Sequence, residues 1–114
     1  MHSQIFLGNA LTEKAPLIDG LIKNKPEDLV FSPFVFIDGR GLACPMPLLK
    51  LKLSLKTLTH GSVYVVATDS HAVVDIGRFC EKNALTLTHW QDETADAQSH
   101  TPVTLFHLYV TKTQ

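Results

Sequence analysis

The sequence predicts a small two-layer α/β sandwich of order βαβαββ, a mixed four-stranded sheet with two helices on one face, preceded by an N-terminal extension. Three observations carry that prediction. Two short apolar runs, at 34–38 and 62–68, are each followed by a segment whose apolar residues recur at helical spacing. Two further runs, at 85–90 and 103–111, alternate with a period of two. The chain has 114 residues, 45% hydrophobic and 18% charged, the size and composition of one compact domain. Strand-helix-strand units cross over with one hand, which places both helices on the same sheet face.

Residues 1–32 form the extension. Leu17, Ile18, Leu21 and Ile22 follow Pro16 at the spacing of a short amphipathic helix, and KNKPEDL links it to the domain at 33–114. FVFID (34–38) reads as a buried strand entering an Asp-Gly turn. Pro45 then suits the first position of a helix, where its fixed φ fits and its missing N–H would have no partner, so Cys44 falls at the N-cap. Leu48, Leu51, Leu55 and Leu58 make the inward stripe of that helix, which is expected to end near His60-Gly61. Leu49 and Leu53 lie roughly 100 to 140° around it at ~3.6 residues per turn and need a separate cover.

SVYVVAT (62–68) is β-branched or aromatic on both faces, as a central strand would be. Asp69 and Ser70 are N-cap residue types and open a second helix reaching about Asn83, with Val73, Ile76, Phe79 and Cys80 turned inward. Gly77 weakens this helix by up to ~1 kcal/mol relative to Ala. LTLTHW and VTLFHLYVT are the last two strands, and QDETADAQSHTP between them reads as a long hairpin loop. The sheet face away from the helices is as apolar as the face they cover. The extension is therefore expected to pack either on that open face or over Leu49 and Leu53.

Several function classes are disfavoured. The N-terminus lacks the pattern of a signal peptide, and no apolar run approaches ~18 residues, so no membrane role is expected. A net charge of −1 argues against direct nucleic-acid binding. Cys44 and Cys80 are far apart in unlike surroundings, which suits a reducing cytoplasm better than a disulfide framework. With no G-x-G-x-x-G, no Walker lysine, no C-x-x-C and no clustered metal ligands, neither a cofactor nor a metal is expected. Charge is unevenly spread: Lys50, Lys52 and Lys56 follow one another without an acid, while Asp92, Glu93 and Asp96 cluster without a base.

Cys44 is the chemical centre of the reading. At a helix N-terminus a cysteine faces unpaired N–H groups and the positive end of the dipole, both of which favour thiolate. Pro45 and Pro47 remove two donors and stiffen the turn, leaving the N–H groups of Met46 and Leu48 for an anion at the sulfur. Gly39 and Gly41 permit positive φ and close backbone approach, and Arg40 is the guanidinium nearby. A Cys-His hydrolase would need one of His60, His71, His89, His100 or His107 beside Cys44. His60 sits at the far end of the helix, on the order of 24 Å away at ~1.5 Å per residue, whereas His71 begins the second helix at the same sheet edge. Cys80 and Trp90 read as packing residues, and Met46, between the prolines, as exposed.

The run D-G-R-G-L-A-C-P-M-P-L-L (38–49), with V-V-A-T-D (65–69) and D-I-G-R-F-C (75–80), resembles the TusA/SirA-like sulfur carrier family. The resemblance spans about residues 34–111 and rests on Gly-Leu-x-Cys-Pro-x-Pro together with the downstream Asp69. It implies the βαβαββ fold and a sulfur carrier in which Cys44 holds sulfane sulfur as a persulfide, with Gly41, Leu42, Pro45, Met46, Pro47 and Asp69 as its frame. It implies a donor protein such as a cysteine desulfurase and a downstream acceptor protein, serving tRNA thiolation or other sulfur metabolism. Such a chain is a persulfide carrier, monomeric or weakly dimeric, and not a stand-alone enzyme. Arg40, Lys50, Lys52 and Lys56 are the candidate docking residues. Ala43 stands where several relatives carry Arg, and Met46 where an acid is common. The alternatives are a non-catalytic regulatory or protein-binding module of the same fold, and a thiol sensor oxidised at Cys44.

Overall fold

Apolar residues on both faces make His60–Ala67 the centre of the sheet, since a strand of that kind needs cover on each side. The computed structural model describes residues 5–43, 45–95 and 102–113. Its elements run β1 (Ile5–Leu7), α1 (Asn9–Glu13), α2 (Ala15–Leu21), β2 (Val35–Gly39), α3 (Met46–Lys56), β3 (His60–Ala67), α4 (His71–Lys82), β4 (Thr86–Ala95) and β5 (Pro102–Thr113). The sheet order is β1-β2-β3-β5-β4, with β2 parallel to β3 and the other pairs antiparallel.

The sheet thus has five strands where the sequence predicts four. Ile5–Leu7 adds the fifth by pairing antiparallel with the outer edge of β2, Phe6 opposite Phe36, and three residues are too few to show a strand period.

Alternation along each strand divides the interior into two layers. On one side Val35, Ile37, Val63, Val65, Ala67, Leu108 and Val110 meet Leu51 and Leu55 of α3 and Ala72, Ile76 and Cys80 of α4. Leu48, Leu58 and Phe79 complete that layer as expected. On the other side Phe36, Tyr64, Val66, Leu105 and Tyr109 meet Ile18 and Leu21 of α2. Each such buried aliphatic contributes about 1.5–3 kcal/mol relative to exposure. Of the two sites expected for the extension, the structure uses the sheet face. Leu49 and Leu53 remain 44% and 57% exposed.

Two element boundaries depart from expectation. Helix α3 ends at Lys56, before His60-Gly61, where Lys112 of β5 donates its ammonium to the Leu55 and Leu58 carbonyls at 3.0 and 2.8 Å and closes the helix end. The last hairpin extends further than its composition suggests: Gln91–Ala95 continue β4 opposite Pro102–Phe106, although these polar residues read as loop. Polar residues suit an edge strand, and β4 is the outer strand on that side. Asp96, His100 and the rest of the expected loop, 96–101, lie outside the described residues.

Candidate functional site

The turn from β2 into α3 is shaped by two glycines with different properties. A Cβ on Gly39 would stand 3.0 Å from the Val66 carbonyl oxygen and 3.6 Å from the Pro47 ring, so glycine lets the strand end lie against both β3 and the first turn of α3. Gly41 has φ +81° with nothing within 4 Å, so there the backbone conformation itself selects glycine.

The turn is stitched by backbone donors. Leu42 donates to the Gly39 carbonyl at 3.1 Å, Met46 to Ala43 at 2.9 Å, and Leu49 to Pro45 at 3.0 Å. Among the described residues the Pro45 carbonyl takes the first full helical bond; the cap is Pro45 and α3 begins at Met46, one residue later than predicted. Pro47 therefore occupies the second helical position, where it is fully buried. Two expectations change with this shift: the N-cap is not Cys44, and the Met46 N–H is engaged by Ala43 instead of awaiting an anion. Cys44 lies outside the described residues. Pro45 and Met46 beside it are exposed, and Leu42 is half-buried.

A second turn lies alongside. Parallel pairing sets Gly39 opposite Ala67, so the turns that follow β2 and β3 leave the same sheet edge, the end where open α/β sheets present their sites. The Gly41 N–H donates to Thr68 Oγ1 at 2.9 Å and joins the two turns. Asp69 Oδ1 accepts the His71 backbone N–H at 2.9 Å and faces His71 Nδ1 at 3.0 Å, while Ser70, the cap residue of α4, makes no side-chain capping bond. Asp69 is thus the residue that tethers the start of α4.

The predicted basic residues divide. Lys50, Lys52 and Lys56 line α3 together with the exposed Met46, Leu49 and Leu53, and Lys52 also lies 5.4 Å from the centre of the Phe79 ring. Arg40 is set apart. Its Nε and Nη2 each donate to Asp38 at 2.8 Å, a two-pronged pair that closes the charge locally. Burial pushes the Asp38 carboxyl up, but the hydrogen bonds and charge of Arg40, with Lys14 adding to them, prevail and hold it below the usual carboxylate value. Sequence reading did not find Asp38 or Thr68. The Asp-x-Arg spacing could have signalled the first, while the second depends on strand register.

The remaining titratable candidates sit elsewhere. His60 begins β3, at the opposite end of that strand from the turn, and His89 lies on β4. His107 is fully buried on the α2 side, with Nδ1 2.7 Å from the Tyr64 hydroxyl and Nε2 3.3 Å from Asp92 Oδ1. Trp90 stacks on His107 with ring centres 5.0 Å apart, which agrees with its reading as a packing residue. Cys80 is 2% exposed, and burial pushes its thiol up to about 11, so it belongs to the core as expected. Among the described residues no group of three or more His, Cys, Asp or Glu could hold a metal ion, and no helix is long and apolar enough to cross a membrane.

A family model described as sulfurtransferase TusA matches residues 35–99. A sulfur carrier protein TusA from Allochromatium vinosum is 34% identical over 58 residues, covering 50% of this chain and 76% of its own. One from Pseudomonas putida is 31% identical over 77 residues, covering 58% of this chain and 96% of its own. A solved SirA-like protein from Desulfitobacterium hafniense aligns over 69% of this chain and 97% of its own, at 16% identity and a TM-score of 0.49.

Proposed function

The chain belongs to the TusA sulfurtransferase family, and from that premise we propose that it is a sulfur carrier holding sulfane sulfur as a persulfide on Cys44. The observation that carries the proposal is the Gly-Leu-Ala-Cys-Pro-Met-Pro segment, 41–47, inside the matched span and on the way from β2 into α3, where the Gly41–Thr68 hydrogen bond joins it to the turn that leads into α4. A carrier must accept sulfur at its thiol and release it again, so it needs an accessible, nucleophilic sulfur on a stiff support. The residues that follow Cys44 in sequence fit that need: Pro45 and Met46 are exposed, while buried Pro47 anchors the first turn of α3.

Gly41 and Leu42 shape the turn ahead of the cysteine, and Asp69 secures the neighbouring one. In this reading a donor protein such as a cysteine desulfurase loads Cys44, and an acceptor protein takes the sulfur on towards tRNA thiolation or other sulfur metabolism, in the cytoplasm. Docking uses the outer face of α3, where Lys50, Lys52 and Lys56 flank Met46, Leu49 and Leu53 and suit an acidic partner surface with an apolar centre. Arg40, closed by Asp38, shapes the rim more than it offers a free charge.

The test is to incubate the protein with a cysteine desulfurase and cysteine and to read its intact mass. A gain of one sulfur that is lost in Cys44→Ser supports the carrier. No gain from several persulfide donors favours a regulatory or protein-binding module of the same fold.

A further inference from the structure

We propose that the outer edge of β1 and the cleft beside it take up an extended segment of a partner protein as an added strand, with an apolar side chain between two acidic ones on the side that faces α3. The inference deepens the docking face assigned above and rests on it. In the order β1-β2-β3-β5-β4 the outer side of β1 has no strand beside it among the described residues. An edge of that kind presents unpaired N–H and C=O groups to any chain that lies along it. Ile5–Leu7 also lies outside the span matched by the family model, so this edge belongs to the extension.

The cleft supplies a place for a side chain. Ile5, Leu7 and Val35 of the sheet, with Leu53, Ser54 and Thr57 at α3, enclose about 220 Å³. Ile5 packs in the α3 layer and Phe6 in the α2 layer, so every second residue of the edge faces the cleft. Leu7 is 54% exposed there, and Leu53 stays open across from it. Ser54 is 6% exposed, and its hydroxyl has no hydrogen-bond partner among the described residues, so one wall of the cleft retains a bond to make with an occupant. A strand laid along β1 turns alternate side chains to this face, one towards the cleft and its neighbours to either side.

Charge decides what those neighbours are. Lys50 and Lys56 stand three residues before and after Leu53 and share its side of the helix. Neither forms an ion pair among the described residues, and α3 contains no acid. On the other face of β1, Lys14 lies 4.9 Å from the centre of the Phe6 ring. Asp38, at the end of β2, is closed by Arg40. A second copy meeting this edge about a two-fold axis would set the same lysines against each other, so the fit is to an acidic strand and not to the chain itself.

The test titrates the isotope-labelled full-length protein with acetyl-Thr-Glu-Val-Thr-Val-Glu-Thr-amide, whose central threonine brings a methyl group and a hydroxyl to the cleft, and reads amide shifts and hydrogen exchange by NMR. Amides of Ile5–Leu7 and of 53–57 are expected to shift, and those of β1 to exchange roughly severalfold more slowly with the peptide bound. Replacing both glutamates by lysine should weaken binding on the order of tenfold or more, and the Lys50→Glu, Lys56→Glu double variant should reverse that preference. A peptide N-methylated at its central residues keeps its side chains but loses its strand donors, and should not bind. Equal binding of the N-methylated peptide, or shifts on α3 with unchanged exchange at β1, would overturn strand addition. So would no binding of the acidic peptide, or protection of β1 in the protein alone that grows with concentration as two copies associate. None of these readouts involves sulfur, so their failure leaves the carrier reading to the mass measurement above.

Discussion

The Tyr64 hydroxyl lies 2.7 Å from His107 Nδ1 in the layer beneath α2, and Asp92 approaches the other ring nitrogen at 3.3 Å. With Asp92 ionised, Nε2–H donates to the carboxylate and Nδ1 accepts from the tyrosine, so a neutral ring satisfies all three side chains. Asn24, in the segment after α2, donates to the second Asp92 oxygen at 3.3 Å and ties the extension to the same cluster.

Burial lowers the basicity of His107, and Asp92 offsets only part of that effect. The unfolded chain takes up this proton near the ordinary 6.5, and the folded chain only at lower pH. Stability linked to this group is therefore complete above about 6.5 and falls as pH drops below it, because the unfolded state then binds more protons. Urea midpoints of the wild type should decline between pH 7 and 5.5. In His107→Gln the curve should start lower and be flatter across that window, and an unchanged slope would contradict the assignment.

The extension is expected to act as part of the core, since Ile18 and Leu21 are buried against Phe36, Tyr64, Val66, Leu105 and Tyr109. Ile18→Ala should cost about 2–4 kcal/mol, measured by urea unfolding. Deleting residues 1–30 uncovers the same apolar face and should lower Tm or cause association in sedimentation experiments. A truncated monomer with the wild-type melting curve would refute this packing.

The two glycines of the site should fail differently. Gly39→Ala sets a methyl group against a backbone carbonyl of the central strand and is expected to destabilise by about 1–3 kcal/mol, because that atom cannot move alone. Gly41→Ala meets no atom but keeps an unfavourable φ, costing about 1–2 kcal/mol. Relieving that strain would displace the N–H that reaches Thr68, so sulfur loading should slow in Gly41→Ala even at temperatures where the variant is fully folded.

The outer face of α3 should matter for partners and little for folding. Leu49→Glu and Lys52→Glu change exposed positions, so Tm should shift only slightly. Sulfur transfer from a protein donor should weaken on the order of tenfold, as loss of a central contact of about 1.4 kcal/mol implies, while loading from glutathione persulfide stays at the wild-type rate. Equal losses with both donors would mean that the face serves the chemistry and not docking.

Much of this arrangement is legible in local sequence. Leu51 with Leu55, and Ile76 with Cys80, show helical spacing, and Val63 to Ala67 show a strand buried on both sides, so α3, β3 and α4 follow from patterns a few residues long. The glycines and prolines of residues 39–47 likewise mark the stiff turn. What sequence could not supply depends on register between distant segments. Ile5–Leu7 becomes a strand only because the edge of β2 is free to pair, and Gln91–Ala95 only because Pro102–Phe106 lie opposite. His107 alternates into the interior with Leu105 and Tyr109, but its partners are Tyr64 two strands back in the chain and Asp92 across the hairpin. At the site, the Gly41–Thr68 bridge is of the same kind, since Thr68 is brought in by strand pairing, whereas the Arg40–Asp38 pair is local and its Asp-x-Arg spacing is there to be read.

The chain has two cysteines with opposite roles, Cys44 as the proposed carrier and Cys80 in the core. After sulfur loading by a cysteine desulfurase, alkylation and digestion should yield the additional sulfur on the peptide that contains Cys44 and none on the peptide that contains Cys80. Sulfur on Cys80, or on neither peptide while the donor remains active, would contradict the assignment of Cys44 as the carrier.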